Sequence, residues 1–229
     1  MPEIKLVIFD CDGVLVDSEY LAARLEAQRY GEYGLELSVS EFAGRFAGMT
    51  GEAIHDAINE ELGNTLPKGL YKEIDAELDA ALNEVEIIPG AAEVLDRFDQ
   101  PRCICSNSGS ARLQRMLRRT GLWDRFRPYV FSARDLSPPA PEPKPDIFLK
   151  GISEFGVKPR EAVVIEDSVH GVHAAVASGA RVIGFTGGKH SYPMHHDLLT
   201  EAGAETVISS FADLPGLIAA FGEWDGFAG

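Results

Sequence analysis

Positive charge is scarce in this chain. Over 229 residues, 21 Lys and Arg stand against 36 Asp and Glu, a formal net charge of −15. A phosphate backbone needs a basic stripe and none is visible, which argues against a general nucleic-acid binder and against an anionic membrane surface. Long apolar runs are missing too: no segment approaches the roughly 18 residues that a membrane span requires. The opening Met1-Pro2-Glu3-Ile4-Lys5 lacks the basic start and apolar stretch of a secretory leader. Cysteine is limited to Cys11, Cys103 and Cys105. An odd count, with two members in an apolar run, reads as small core hydrophobes rather than a disulfide frame or a zinc site. A reducing cytoplasm is the expected location.

What is present describes an ordinary folded chain, 45% hydrophobic and 25% charged. Its length suits one large domain or one domain with an insert. Four short apolar runs each end in polar residues: Ile4 to Phe9 in Asp10, Cys103 to Cys105 in Ser106-Asn107, Ala162 to Ile165 in Glu166-Asp167, and Arg181 to Phe185 in Thr186-Gly187-Gly188. Each reads as a buried strand. Helical spacing between the later runs, over 111–119, 146–155 and 169–178, implies an α/β fold with a parallel sheet. In such sheets ligands bind beyond the carboxyl ends of the strands. One edge is therefore expected to gather Asp10, Ser106, Asn107, Glu166 and Asp167.

About ninety residues separate the first two strands, far more than one crossover helix needs. Helical spacing over 21–30, 53–62 and 70–82 makes this an inserted all-helical domain. The expected division is a core of 1–17 with 87–229 and an insert of 18–86. The insert holds fifteen Asp and Glu against five Lys and Arg, and its acidity reads as a solvated face. Pro138-Pro139-Ala140-Pro141-Glu142-Pro143 reads as a stiff connector.

The chemistry begins at Asp10-Cys11-Asp12-Gly13. Neighbouring buried carboxylates repel unless a cation or a proton lies between them, and oxygen ligands suit Mg²⁺. Glu166 and Asp167 can complete such a cluster. Ser106-Asn107 offers a hydroxyl and backbone N–H groups to phosphate oxygens, and Lys144 is a cation on a proline loop.

The ordered set Asp10-x-Asp12-Gly13-Val14-Leu15-x-Asp17-Ser18, Ser106-Asn107, Lys144-Pro145-Asp146 and Glu166-Asp167-Ser168 resembles the four motifs of the haloacid dehalogenase superfamily. Residues 89–93, Gly171, Ala174-Ala175 and Gly179 resemble its phosphatase and β-phosphoglucomutase-like branch. The insert matches the position of that family's subclass I helical cap. The resemblance implies a Rossmann-like core and an Mg²⁺-dependent phosphatase of the cytoplasm. Asp10 would be the nucleophile, forming an aspartyl-phosphate, and Asp12 the general acid and base. Asp10, Asp12 through its carbonyl, and Asp167 would hold Mg²⁺, supported by Glu166. Ser106, Asn107 and Lys144 would hold the phosphoryl oxygens. The implied partner is a small phosphomonoester, of sugar phosphate, sugar-acid phosphate or phosphoglycolate type. Neither a nucleic acid nor a membrane is expected, and the chain would be a monomer or a weak homodimer.

Other branches fit less well. Dehalogenases lack the second aspartate, and Asp12 is present. Phosphonate cleavage needs a lysine in the cap, and none occurs between Lys5 and Lys68. A β-phosphoglucomutase places an arginine in the cap loop where Gly51 stands here, and a histidine near the place of Ala22. Mutase activity is the rival within the family, and a silent binding protein the rival outside enzymes. Arg45, Met49 and His55 are candidate substrate contacts from the cap. The run 187–196 reads as a loop from which Lys189 or His190 reaches the substrate.

Overall fold

A computed structural model describes residues 3–223. Six strands form one parallel sheet: β1 (Leu6–Phe9), β2 (Arg102–Ser106), β3 (Val130–Ser132), β4 (Ala162–Glu166), β5 (Arg181–Phe185) and β6 (Thr206–Ile208). Their order in the sheet is β3-β2-β1-β4-β5-β6. The chain thus builds outward from β1 to one side and then from β4 to the other. The crevice between those halves, beyond the strand ends, is where such sheets place ligands. This is the parallel α/β sheet that the alternation of strands and helices implied, and the Rossmann-like core that the resemblance implied.

Five helices lie between β1 and β2: the insert's α1 (Ser18–Gly31), α2 (Val39–Phe46), α3 (Gly51–Glu61) and α4 (Leu70–Ala81), then α5 (Ala91–Val94). After β2 come α6 (Ser110–Arg119), α7 (Trp123–Phe126), α8 (Asp146–Glu154), α9 (Val169–Ala177), α10 (His195–Glu201) and α11 (Leu214–Glu223). Strand side chains alternate between two apolar layers. Val7, Phe9, Ile104, Val163 and Ile165 face α5, α6, α7 and α11. Leu6, Ile8, Cys103, Cys105, Ala162 and Val164 face α8, α9 and α10. All three cysteines are free and buried, as packing residues.

The helices α1 to α4 have a core of their own, built from Ala27, Tyr30, Phe42, Phe46, Ile58 and Leu70 among others. The chain enters and leaves this insert side by side. Val16 pairs with Ile87, and the Asp17 N–H donates to the Glu86 carbonyl at 3.0 Å. Lys189 bridges both crossings, its Nζ lying 3.4 Å from Asp17 Oδ2 and 2.6 Å from Glu86 Oε2. The insert touches the core again where Gly44 sits on Tyr192 and Gly48 on His170. Among the described residues, no helix is long and apolar enough to cross a membrane.

Candidate active site

Parallel register sets the geometry. Phe9 aligns with Ile104 on one side and Ile165 on the other. Asp10, Cys105-Ser106 and Glu166-Asp167 therefore emerge at one level of the sheet. One carboxylate oxygen each from Asp10, Glu166 and Asp167 lies within 4.8 Å of the others, and all three residues are buried. Two glycines make room for this cluster. Gly13 has φ +72°, and a Cβ there would stand 1.9 Å from Asp167 Oδ2. A Cβ on Gly171, in the first turn of α9, would stand 1.8 Å from Glu166 Oε1.

Each carboxylate is held by a different element. Asp12 accepts from Ser18 Oγ at 2.7 Å and from Ser106 Oγ at 3.3 Å, which ties the first loop to α1 and to the end of β2. The Ser168 N–H donates to Glu166 Oε2 at 2.6 Å, while the Ser168 hydroxyl caps α9. His190 Nε2 lies 2.8 Å from Asp167 Oδ2, and His195 Nε2 lies 2.6 Å from the Asp167 carbonyl. The loop 187–195 thus meets the cluster with one hand and the hinge of the insert with the other.

Mutual repulsion in a dry site perturbs these groups. Burial, then Glu166, Asp12, Glu142 and Asp167, hold the Asp10 carboxyl well above the carboxylate range. Burial, then Glu142 and Asp167, do the same to Glu166, against the stabilising donation from Ser168. Burial followed by Asp167 and Asp12 pushes Glu142 up to about 8. A hard divalent cation relieves this repulsion, and three close, buried carboxylates offer it oxygen ligands. The residues fit Mg²⁺.

The expected residues divide into two groups. Asp10, Asp12, Ser106, Glu166 and Asp167 come together, with Asn107 at the end of β2 beside them. Lys144 does not join them. It is exposed, and among the described residues its side chain makes no hydrogen bond or ion pair. The inward residue of that loop is Glu142. Its N–H donates to Asn107 Oδ1 and its Oε2 accepts from Asn107 Nδ2, both at 3.0 Å. The proline-rich sequence concealed this, since a connector's spacing does not say which side chain turns inward.

The candidate contacts from the insert also part company. Arg45 is exposed and paired with Glu61 of α3. Met49 is exposed in the loop between α2 and α3. His55 faces the insert's own core instead of a ligand cleft. It is 7% exposed and lies between Tyr30 and Tyr71, with ring centroids at 6.2 and 5.6 Å. It packs against these rings, and its buried Nδ1 has no hydrogen-bond partner among the described residues.

Known proteins are similar to this chain in sequence and fold. The haloacid dehalogenase-like hydrolase family matches residues 4–179. The 6-phosphogluconate phosphatase of Escherichia coli is 29% identical over 98% of this chain and 99% of its own. A haloacid dehalogenase-like protein of unknown function from Agrobacterium tumefaciens is 52% identical, with a TM-score of 0.93 over 96% of this chain and 100% of that one. A hydrolase of the family from Deinococcus radiodurans, solved with bound phosphate and sodium, is 31% identical, with a TM-score of 0.86 over 97% of this chain and 98% of that one.

Proposed function

Because the chain belongs to the haloacid dehalogenase-like hydrolase family, we propose that it is a cation-dependent phosphatase acting on a small phosphomonoester through a phosphorylated Asp10. The observation that carries this reading is the buried set Asp10, Glu166 and Asp167 at the sheet's switch point, with Asp12 beside it.

In this reading Asp10, at the end of β1, attacks the phosphorus from a fixed strand terminus. The ester oxygen leaves as an alcohol on taking a proton from Asp12, whose carboxyl is aimed by Ser18 and Ser106. Asp12 then takes a proton from the water that cleaves the aspartyl-phosphate, returning Asp10 to its starting state. Ser106 and the turn after it receive the phosphoryl oxygens. Asp10, Glu166 and Asp167 would hold Mg²⁺, which when bound supplies positive charge to the phosphoryl group. The insert above the sheet edge keeps bulk water away during transfer.

Two features favour hydrolysis over a mutase. A mutase holds a second phosphate in the insert, and Arg45, the cation considered for that place, is engaged by Glu61. The match over nearly full length to a sugar-acid phosphatase supports substrates of that kind. Phosphate release from a panel of sugar and sugar-acid phosphomonoesters, with Mg²⁺ and with chelator, tests the reading. Free phosphate that needs the cation is expected. Conversion of β-glucose 1-phosphate to glucose 6-phosphate with little free phosphate would replace it with the mutase.

A further inference from the structure

Glu142 is the feature of this site that its proposed chemistry leaves unused. A phosphoryl-transfer site gathers positive charge, since the ester arrives with two negative charges of its own. Here Glu142 brings in another carboxylate. Five acidic groups, Asp10, Asp12, Glu142, Glu166 and Asp167, act on one another. Among the described residues, the only basic side chain in an ion pair with any of them is His190, on Asp167.

The placement of Glu142 is built rather than incidental. Both polar atoms of the Asn107 carboxamide grip it, one through its backbone and one through its side chain. That leaves Oε1, which is withdrawn from solvent and has no hydrogen-bond partner among the described residues. A buried carboxylate oxygen without a partner carries a desolvation cost that a cation can offset. The grip on Asn107 also places this oxygen next to the turn that receives the phosphoryl group.

We propose that Glu142 belongs to the cation-binding set of the site: its unpartnered Oε1 strengthens the hold on a divalent cation and makes the binding of an anion conditional on that cation. The inference rests on the phosphatase reading above and adds a residue to it. Glu142→Gln is the informative change, because the amide keeps the shape and a carbonyl oxygen for Asn107 Nδ2 while removing the charge. Glu142→Lys reverses the charge.

The experiment is a titration of the full chain with Mn²⁺, following free Mn²⁺ by electron paramagnetic resonance, together with calorimetry of inorganic phosphate binding in Mn²⁺ and in chelator. Melting curves in chelator confirm that each variant is folded. Glu142→Gln is expected to weaken Mn²⁺ binding roughly ten- to a hundredfold, the usual effect of losing an outer support of a metal site. Wild-type protein is expected to bind phosphate only with Mn²⁺, and Glu142→Lys to bind it in chelator. Equal Mn²⁺ affinity in wild type and Glu142→Gln would overturn the proposal, as would tight phosphate binding by wild type in chelator. Should Glu142→Lys not fold, the Glu142→Gln titration decides alone. Ester hydrolysis measured on the same wild-type sample separates the two readings. Glu142-dependent Mn²⁺ binding without phosphate release sinks the phosphatase and leaves this inference standing. Phosphate release with Glu142-independent binding does the reverse.

Discussion

Asp10 and Lys144 show what a sequence does and does not disclose about single residues. A carboxylate that ends a buried strand has one place to go, so Asp10, Glu166 and Asp167 were legible from the apolar runs before them. Ser106 was legible for the same reason. Lys144 and Glu142 lie two residues apart on an irregular loop, where no period fixes direction, and the loop turns the acid inward and the base outward. His55 was misleading for a related reason. Its helix has one face, and that face closes on Tyr30 and Tyr71 within the insert. Lys144→Met is therefore expected to leave kcat/KM close to the wild-type value, since its exposed side chain pairs with none of the site's carboxylates among the described residues. A loss of a hundredfold would return Lys144 to the site by way of a loop movement.

At the level of elements, periodicity carried the long helices and the buried strands, and it failed on short pieces. The strands β3 and β6 have three residues each and are only partly buried, so neither alternation nor a full apolar run announces them. Helix α2 was missed although its start is written in the sequence, because Ser38 and Glu41 form a capping box. Helix α9 carries the sharpest constraint at this scale. Its first turn passes so close to Glu166 that Gly171 has no room for a side chain. Gly171→Ala is expected to displace either the helix or Glu166. Overpacking of this kind costs about 1–3 kcal/mol. We expect a lower melting temperature together with at least tenfold weaker Mn²⁺ binding. Normal cation binding in this variant would mean that Glu166 swings aside freely and does not support the cation.

The whole molecule joins a parallel sheet to a helical insert through two adjacent chain crossings. The surplus length between the first two strands made that insert legible. The clasp on its hinge was not, because Lys189 is remote in sequence from Asp17 and Glu86. Lys189 also donates its N–H to Asp17 Oδ1 at 3.1 Å, and its neighbour His190 meets Asp167. The loop 187–195 thus connects the hinge to the cation site. If the insert works as a closing cap, Lys189→Met should shift kcat and KM together by threefold or more, as hinge changes often do, and lower the melting temperature modestly, because Glu86 is exposed but Asp17 is buried. Unchanged kinetics would make the clasp purely structural.

The proposed hydrolysis depends on Asp10 acting as the nucleophile. The direct measurement is mass spectrometry of the protein quenched in acid during turnover of its best ester, with the phosphorylated peptide sequenced. One added phosphoryl group on Asp10 is expected, with no label and no turnover in a folded Asp10→Asn variant. A label on another residue, or sustained hydrolysis by Asp10→Asn, would contradict that role.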